Sequence, residues 1–278
     1  MIIDTHSHLQ FNAFKDDKDE VIKKTLAENI WMINVGTKLV TSRDAVLLAE
    51  NYGEGVYSAI GMHPMYAASE FLNIKHDPNE EEYLEPENRF DKEKYLALAK
   101  SKKVVAIGEI GLDYYYKPKT VEKLVKFKDK QKQIFMQQLE LAEELKLPVI
   151  LHCRMAHDDV IDILNSKIKV KKSKLTGVVH CFTGTLEQAK KYINLGFYLG
   201  INGIIFKFNI DEVIKNVPLE NMLLETDCPY LVPPQEAGKR NEPMFIRHTI
   251  NKVADLKVVD VKKVEDLTTQ NAKKLFNI

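Results

Sequence analysis

Cysteine is too scarce in this chain to staple a fold. Cys153, Cys181 and Cys228 are odd in number and widely spaced, which excludes a disulfide framework or a zinc finger and points to a reduced, cytoplasmic chain. Long apolar runs are missing as well. None approaches the roughly 20 residues needed to cross a bilayer, and no basic-then-apolar leader stands before Ile2, so no membrane partner is expected. Charge of one sign is not in excess either, with 40 basic side chains against 40 acidic ones. That balance excludes the broad electrostatic grip of a duplex-coating protein and confines any nucleic-acid contact to a local surface. There is no internal repeat, no low-complexity tract and no feature that marks an obligate protein partner.

What the chain does contain is 278 residues with 45% apolar content, ample for one large core. Short apolar runs alternate with amphipathic ones. The spacing predicts strands over residues 1–3, 31–35, 56–60, 104–107, 148–151, 176–179, 197–201 and 222–224. Helices are predicted over about 19–29, from Thr41 onward, over 92–100, up to Leu145, from Thr185 with Gln188 as its capping partner, and over 243–256 and 261–276. Within the long helix ending at Leu145, Ile134, Phe135, Leu139, Leu141 and Ala142 form a core-facing stripe. Eight strands alternating with helices argue for a parallel sheet closed into a (β/α)8 TIM barrel over residues 1–278. From about 65 to 90 the periodicity breaks in an acidic, proline-marked stretch, Asp77-Pro78-Asn79-Glu80-Glu81-Glu82 and Glu85-Pro86-Glu87-Asn88, which reads as a loop insertion.

The chemistry begins at Asp4-Thr5-His6-Ser7-His8. A strand sends alternate side chains to one face, so Asp4, His6 and His8 share it, two imidazoles can reach one metal ion, and a neighbouring carboxylate can fix a ring. Other ligand-type residues recur where other predicted strands end: His63 after 56–60, Glu109 after 104–107, His152 after 148–151, His180 after 176–179 and Asp227 after 222–224. In such barrels that end carries the active site, so residues distant in sequence converge there. Cys153 and Cys181 directly follow histidines and should point away from them, as small packing residues.

Seven motifs carry a further resemblance: Asp4-Thr5-His6-Ser7-His8, Gly61-Met62-His63-Pro64, Gly108-Glu109-Ile110-Gly111-Leu112-Asp113-Tyr114, His152-Cys153-Arg154, His180-Cys181-Phe182-Thr183-Gly184, Glu225-Thr226-Asp227-Cys228-Pro229-Tyr230-Leu231 and Arg240-Asn241-Glu242-Pro243. Together they resemble the TatD family of metal-dependent hydrolases, within the amidohydrolase-like barrel superfamily, over nearly the whole chain. The resemblance implies two divalent ions, magnesium first with zinc or manganese as alternatives. His6, His8 and Asp227 would hold one ion, His152 and His180 the other, with Glu109 bridging. Asp227 would accept a proton from the attacking water, and His63, a turn residue outside the ligand set, would steady a phosphate oxygen. Arg154 and Arg240 are candidate substrate contacts. The insertion at 65–90 departs from the shorter loop of the family and bears on substrate size and end preference.

Three functions fit these residues. The first is a deoxyribonuclease, a metal-dependent phosphodiesterase acting on single-stranded DNA ends through a two-metal-activated water. The second is a hydrolase of amides or esters, such as a D-aminoacyl-tRNA deacylase, since the same ions polarise a carbonyl. The third is a metal-stabilised binding scaffold, disfavoured because structural sites are closed and thiolate-rich.

Overall fold

The apolar runs become strands because they are short and most are rich in β-branched or aromatic residues. The computed structural model describes residues 1–72, 77–80, 89–170 and 172–278. The strands are β1 (Ile2–Ser7), β2 (Ile30–Val35), β3 (Val56–Ile60), β4 (Val104–Asp113), β5 (Val149–Arg154), β6 (Gly177–Val179), β7 (Phe197–Ile201) and β8 (Met222–Leu224). Neighbours pair in parallel in that order. At the seam Ser7 bridges Cys228, the His8 N–H donates to the Cys228 carbonyl at 3.0 Å, and the Asp227 N–H donates to the His6 carbonyl at 2.8 Å. The ring is thus drawn together, as a (β/α)8 barrel.

The helices between strands are α1 (Lys18–Ala27), α2 (Leu39–Glu50), α3 (Pro64–Ala67), α4 (Lys92–Leu98), α5 (Val121–Leu145), α6 (His157–Asn165), α7 (Leu186–Asn194) and α8 (Asp211–Asn216). After β8 come α9 (Ile246–Lys257) and α10 (Val261–Phe276). Among the described residues no helix is long and apolar enough to cross a membrane. At the start of α7, Thr185 and Gln188 cap each other's backbone N–H groups, as their spacing predicts. The start of α2 differs from the expectation. The helix begins at Leu39, and Thr41 sits inside its first turn, where its hydroxyl accepts from the Thr37 N–H at 2.9 Å and the Lys38 N–H at 3.1 Å.

Two other segments differ. β4 continues to Asp113 instead of ending at Ile107, so Glu109 lies within a strand. Gly108 and Gly111 look like breakers in the sequence, but a Cβ on Gly111, at φ +144°, would stand 2.0 Å from the His152 carbonyl oxygen. The glycine there permits close approach to β5, not a turn. The acidic stretch at 65–90 is not wholly irregular: it starts as α3 and a single 3-10 turn, Ser69–Phe71. Residues 77–80 then dock onto the β1–α1 connection, with Ala13 N–H donating to Asn79 at 2.8 Å and Asn12 N–H to Glu80 at 3.1 Å. Residues 73–76 and 81–88, with His76, lie outside the described residues.

Side chains from strands on opposite sides of a ring can meet directly only inside it. Ile3, Ile33, Val105, Ile150, Val178 and Leu223 do so, joined by Ala272 and Phe276 of α10. On β5 the alternate residues Val149, Leu151 and Cys153 instead join the larger apolar cluster with Phe127, Phe135 and Leu139 of α5. Ile150 and His152 therefore share the interior face, as do Val178 and His180 after β6, and Leu223, Glu225 and Asp227 after β8. On β5, β6 and β8 one alternation sets both the core and the ligands; on β1, where Ile3 faces inward, the register shifts between Asp4 and Ser7, and His6 and His8 follow that irregularity instead.

His157 at the start of α6 shows what burial without a charge partner does. Its Nδ1 lies 3.2 Å from both Cys153 Sγ and the Tyr192 hydroxyl, while Nε2 is buried and unpartnered. Burial lowers its pKa to about 4, against a small opposing pull from Asp158 and with some help from His152. In the unfolded chain the ring titrates near 6.5, so it binds a proton there before it does in the fold. Stability is thus lost as pH falls from 6.5 toward 4, by roughly 2 to 3 kcal/mol at pH 4.5. Urea unfolding at pH 7 and pH 4.5 should show a smaller acid loss in His157→Gln than in the parent. Equal losses would exclude this ring as the cause.

Candidate metal centre

The interior side chains at the carboxyl end of the strands open into a cleft of about 270 Å³ lined by His8, His63, Glu109, Asp113, His152, His180 and Asp227. A larger hollow of about 520 Å³ lies at the opposite end of β5 and β6, beside Pro148 and Thr176, away from these groups. His6 and His8 leave β1 with their Nε2 atoms 3.2 Å apart. Asp227 Oδ1 lies 3.4 Å from His8 Nε2 and 3.8 Å from His6 Nε2. Ligands of one tetrahedral ion at 2.0–2.2 Å stand roughly 3.3–3.6 Å from one another, so this triad can enclose a cation. His8 Nδ1 is 2.7 Å from the Val35 carbonyl, which accepts its proton and leaves the Nε2 lone pair toward the cleft, while Phe11 stacks on the ring at 4.4 Å. Asp227 has φ +60°, a left-handed backbone that aspartate tolerates better than most residues.

Asp4 does not fix either ring, contrary to the sequence reading. Its carboxylate accepts from the Thr226 N–H at 2.9 Å, the Thr226 hydroxyl at 2.5 Å and the His6 N–H at 3.2 Å, tying β1 to the end of β8. Burial raises its pKa to about 7, although these hydrogen bonds oppose the rise. His6 Nδ1 is buried with no partner among the described residues.

Glu109 occupies the middle. Its carboxylate oxygens lie 3.5 Å from His6 Nε2, 2.7 Å from His152 Nδ1, 3.7 Å from His63 Nε2 and 3.9 Å from His180 Nε2. Burial alone would raise its pKa, but the rings of His63 and His6 and the hydrogen bond with His152 hold it well below the ordinary range. The carboxylates pull positive charge onto the facing rings in turn. Burial opposes a charge on His180, yet Glu225 and Asp227 lift it to about 10, and against the same burial Asp113 and Glu109 lift His152 to about 9. A cluster whose net field favours cations at its centre is the electrostatic requirement for divalent ions.

His63 is built differently. It caps α3, its Nδ1 accepting from the Met65 N–H at 3.1 Å, so in the neutral ring the proton sits on Nε2, facing the cleft. Burial, with His152 alongside, lowers its pKa to about 4 and keeps it neutral. A donor Nε2–H suits an anionic oxygen better than a metal ion.

Two buried carboxylates in the quoted motifs received no role from sequence reasoning. Asp113 Oδ2 lies 2.9 Å from His152 Nε2, and Glu225 Oε1 lies 2.8 Å from His180 Nδ1 and accepts from the Cys181 N–H at 2.7 Å. A Cβ on Gly200 would stand 2.5 Å from Glu225 Oε2, so glycine makes the room. The signal was present: Asp113 is four residues from Glu109, and Glu225 two from Asp227, even spacings that keep one strand face. Glu80 of the insertion was missed too. It is buried on the cleft wall, accepting from the hydroxyls of Thr37 and Tyr66.

Arg154 reaches the cleft, where its guanidinium carbon lies 3.6 Å from the centre of the Tyr115 ring. Arg240 does not line it. Asp17 at 2.7 Å, Glu242 at 2.9 Å and the Ala13 carbonyl at 2.6 Å engage its two terminal nitrogens, and the guanidinium covers Phe14, so its work is to hold the loop after β8 against the β1–α1 connection. Burial pushes the Cys153 thiol up to about 12 and holds those of Cys181 and Cys228 well above the ordinary thiol range, which keeps all three as neutral thiols.

A parallel eight-stranded barrel with histidines and carboxylates gathered at its carboxyl end defines a metal-dependent hydrolase barrel. The family described as TatD related DNase matches residues 3–277, and the chain belongs to it. It is 36% identical over 282 residues to the Bacillus subtilis protein named "Uncharacterized metal-dependent hydrolase YabD", covering 100% of both chains. It is 34% identical to "3'-5' ssDNA/RNA exonuclease TatD" of Citrobacter koseri, over 100% of this chain and 99% of that one. The crystal structure of the Escherichia coli TatD homolog YJJV superposes with a TM-score of 0.80 at 29% identity, over 100% of this chain and 98% of that one. The protein is a TatD-family metal-dependent hydrolase.

Proposed function

We propose that this hydrolase is a phosphodiesterase that removes nucleotides from single-stranded DNA ends with two divalent ions, magnesium first. The observation that carries the reading is Glu109, within 3.9 Å of ring nitrogens on His6, His63, His152 and His180. A carboxylate so placed can serve two ions at once. His6, His8 and Asp227 would hold one, and His152 and His180 the other, with Glu109 between them. Such ions, when bound, polarise a phosphoryl oxygen and make water a better nucleophile.

The chain's own groups do the rest. Asp227 takes the proton of the attacking water, its largely buried carboxylate lining the cleft while its backbone is tied to His6. His63 donates from Nε2 to a non-bridging phosphate oxygen, a bond that strengthens as charge builds in the transition state. Val35 and Glu225 keep His8 and His180 in their ligand rotamers. Arg154 offers its planar donors to a phosphate. Single-stranded substrate is supported by the chain's balanced charge, which offers no broad grip on a duplex, and by the exonuclease names among the relatives.

The test uses magnesium-loaded protein with end-labelled linear single-stranded DNA, a circular single strand and a charged transfer RNA. The linear strand should shorten from an end while the circle survives. Elemental analysis should find up to two divalent ions per chain, and chelation should remove activity that magnesium or manganese restores. Release of the amino acid from transfer RNA with DNA left intact would overturn the reading in favour of ester hydrolysis.

A further inference from the structure

Beside the metal cleft the β4–α5 connection exposes two adjacent tyrosines, Tyr115 and Tyr116, about half of each ring facing solvent. Their rings meet edge to face at 4.8 Å. Arg154, from the end of β5, packs over Tyr115 with its guanidinium carbon 3.6 Å from the ring centre, and Tyr116 itself lines the cleft. Buried aromatics are ordinary, but a solvent-facing pair next to a reaction site needs a reason. Arg154 supplies half of it. Among the described residues it is the only arginine or lysine lining either this cleft or the neighbouring one of about 260 Å³, which shares His152, His180 and Asp227, and it forms no ion pair with any of them. Its guanidinium is held by ring contact alone, with its donors open to a ligand.

The sequence that follows supplies the other half. Lys117, Lys119 and Lys123 are exposed, and none of the three has an ion pair among the described residues. Lys126 is exposed beside them and paired to Glu122. In a barrel of parallel strands the connection after β4 lies on the same face as the metal cluster, so these lysines begin where the tyrosines end. Val121 and Val125 are exposed on the same first turns of α5. In a chain of zero net charge this is a concentrated strip of cations with aromatic rings at its head.

We propose that this strip is the platform that holds the strand running away from the scissile phosphate. Bases stack on Tyr116 and Tyr115, Arg154 grips the first phosphate beyond the cleft, and the following phosphates pass Lys117, Lys119 and Lys123. The inference rests on the nuclease reading for what is cut, but the platform is defined by binding. Base stacking on aromatic rings tolerates any sequence, since every base has a π-face. The preference is therefore for single-stranded chains with intact bases, whatever their order.

The experiment measures binding by fluorescence anisotropy on metal-loaded protein, with a phosphorothioate-protected oligothymidylate 12-mer and the same strand carrying abasic units near the end. Parent protein should bind the abasic strand about ten-fold or more weakly. The double variant Tyr115→Ala, Tyr116→Ala should lose a similar factor on the normal strand and discriminate little between the two. Tyr115→Phe, Tyr116→Phe should restore both affinity and discrimination, because the π-faces remain. Changing Lys117, Lys119 and Lys123 to glutamine should lower the slope of log affinity against log salt by about 2, at about 0.7 per phosphate released. Metal content should match the parent throughout. Equal binding of normal and abasic strands, or an alanine pair that binds like the parent, overturns the platform. A protein that shows the ring-dependent binding yet cuts no unprotected strand supports the platform and sinks the nuclease reading.

Discussion

Exchange of Glu109 for glutamine should strip the protein of its ions and its activity together. The substitution keeps the volume of a side chain that is almost wholly buried, so the barrel has no new cavity to absorb. What it removes is the one negative charge facing His6, His63, His152 and His180 at once. Two cations brought close together repel, and without a shared anionic ligand their affinity should fall by at least the ten- to hundred-fold typical of merely losing an outer partner. Turnover should drop by more than about 10³-fold, beyond the loss of a single preorganised donor. Metal content by elemental analysis and hydrolysis rate on one preparation decide it. Full metal occupancy in Glu109→Gln would show that the carboxylate does not bridge.

His63 calls for a subtler variant than alanine, because it has two jobs. Nδ1 caps α3 and Nε2 faces the cleft, so His63→Ala removes a cap worth about 1 kcal/mol along with the donor. Asparagine is a good cap and can still accept from the Met65 N–H, but it ends short of the cleft. His63→Asn should therefore fold with near-parental stability, keep its ions and lose about 10²- to 10³-fold in turnover, the range for one transition-state donor. Its companion His63→Ala should lose the same turnover with a lower urea midpoint. An asparagine variant that loses an ion would make His63 a ligand, and one that turns over at the parental rate would leave it as a cap alone.

The contrast between these two residues shows where sequence and structure divide. Both follow a glycine that closes an apolar run, Gly61 two residues before His63 and Gly108 directly before Glu109, and the run length says only that each is near a strand end. For His63 that was enough, since Val56–Ile60 stops where predicted. For Glu109 it was not: β4 passes through, and a glycine that resembles a breaker turns out to admit the His152 carbonyl. Local patterns cannot tell a glycine that ends a strand from one that lets two strands touch.

Period-two alternation and eight strand–helix units were enough to determine the barrel, the face on which His152, His180 and Asp227 lie, and the end at which the ligands gather. Those are consequences of neighbours within a few residues, which any chain segment carries with it. The partners of each side chain were decided only by closing the ring. Asp4 binds Thr226 instead of an imidazole, Asp113 and Glu225 stand behind His152 and His180, and Glu80 comes in from the acidic stretch to meet Thr37 and Tyr66. Arg240 leaves the cleft for Asp17, 223 residues away along the chain. Such pairings depend on strands meeting across a seam and loops docking over it, and a hydrogen bond a few ångströms long has no trace in the spacing of a sequence that folds to make it.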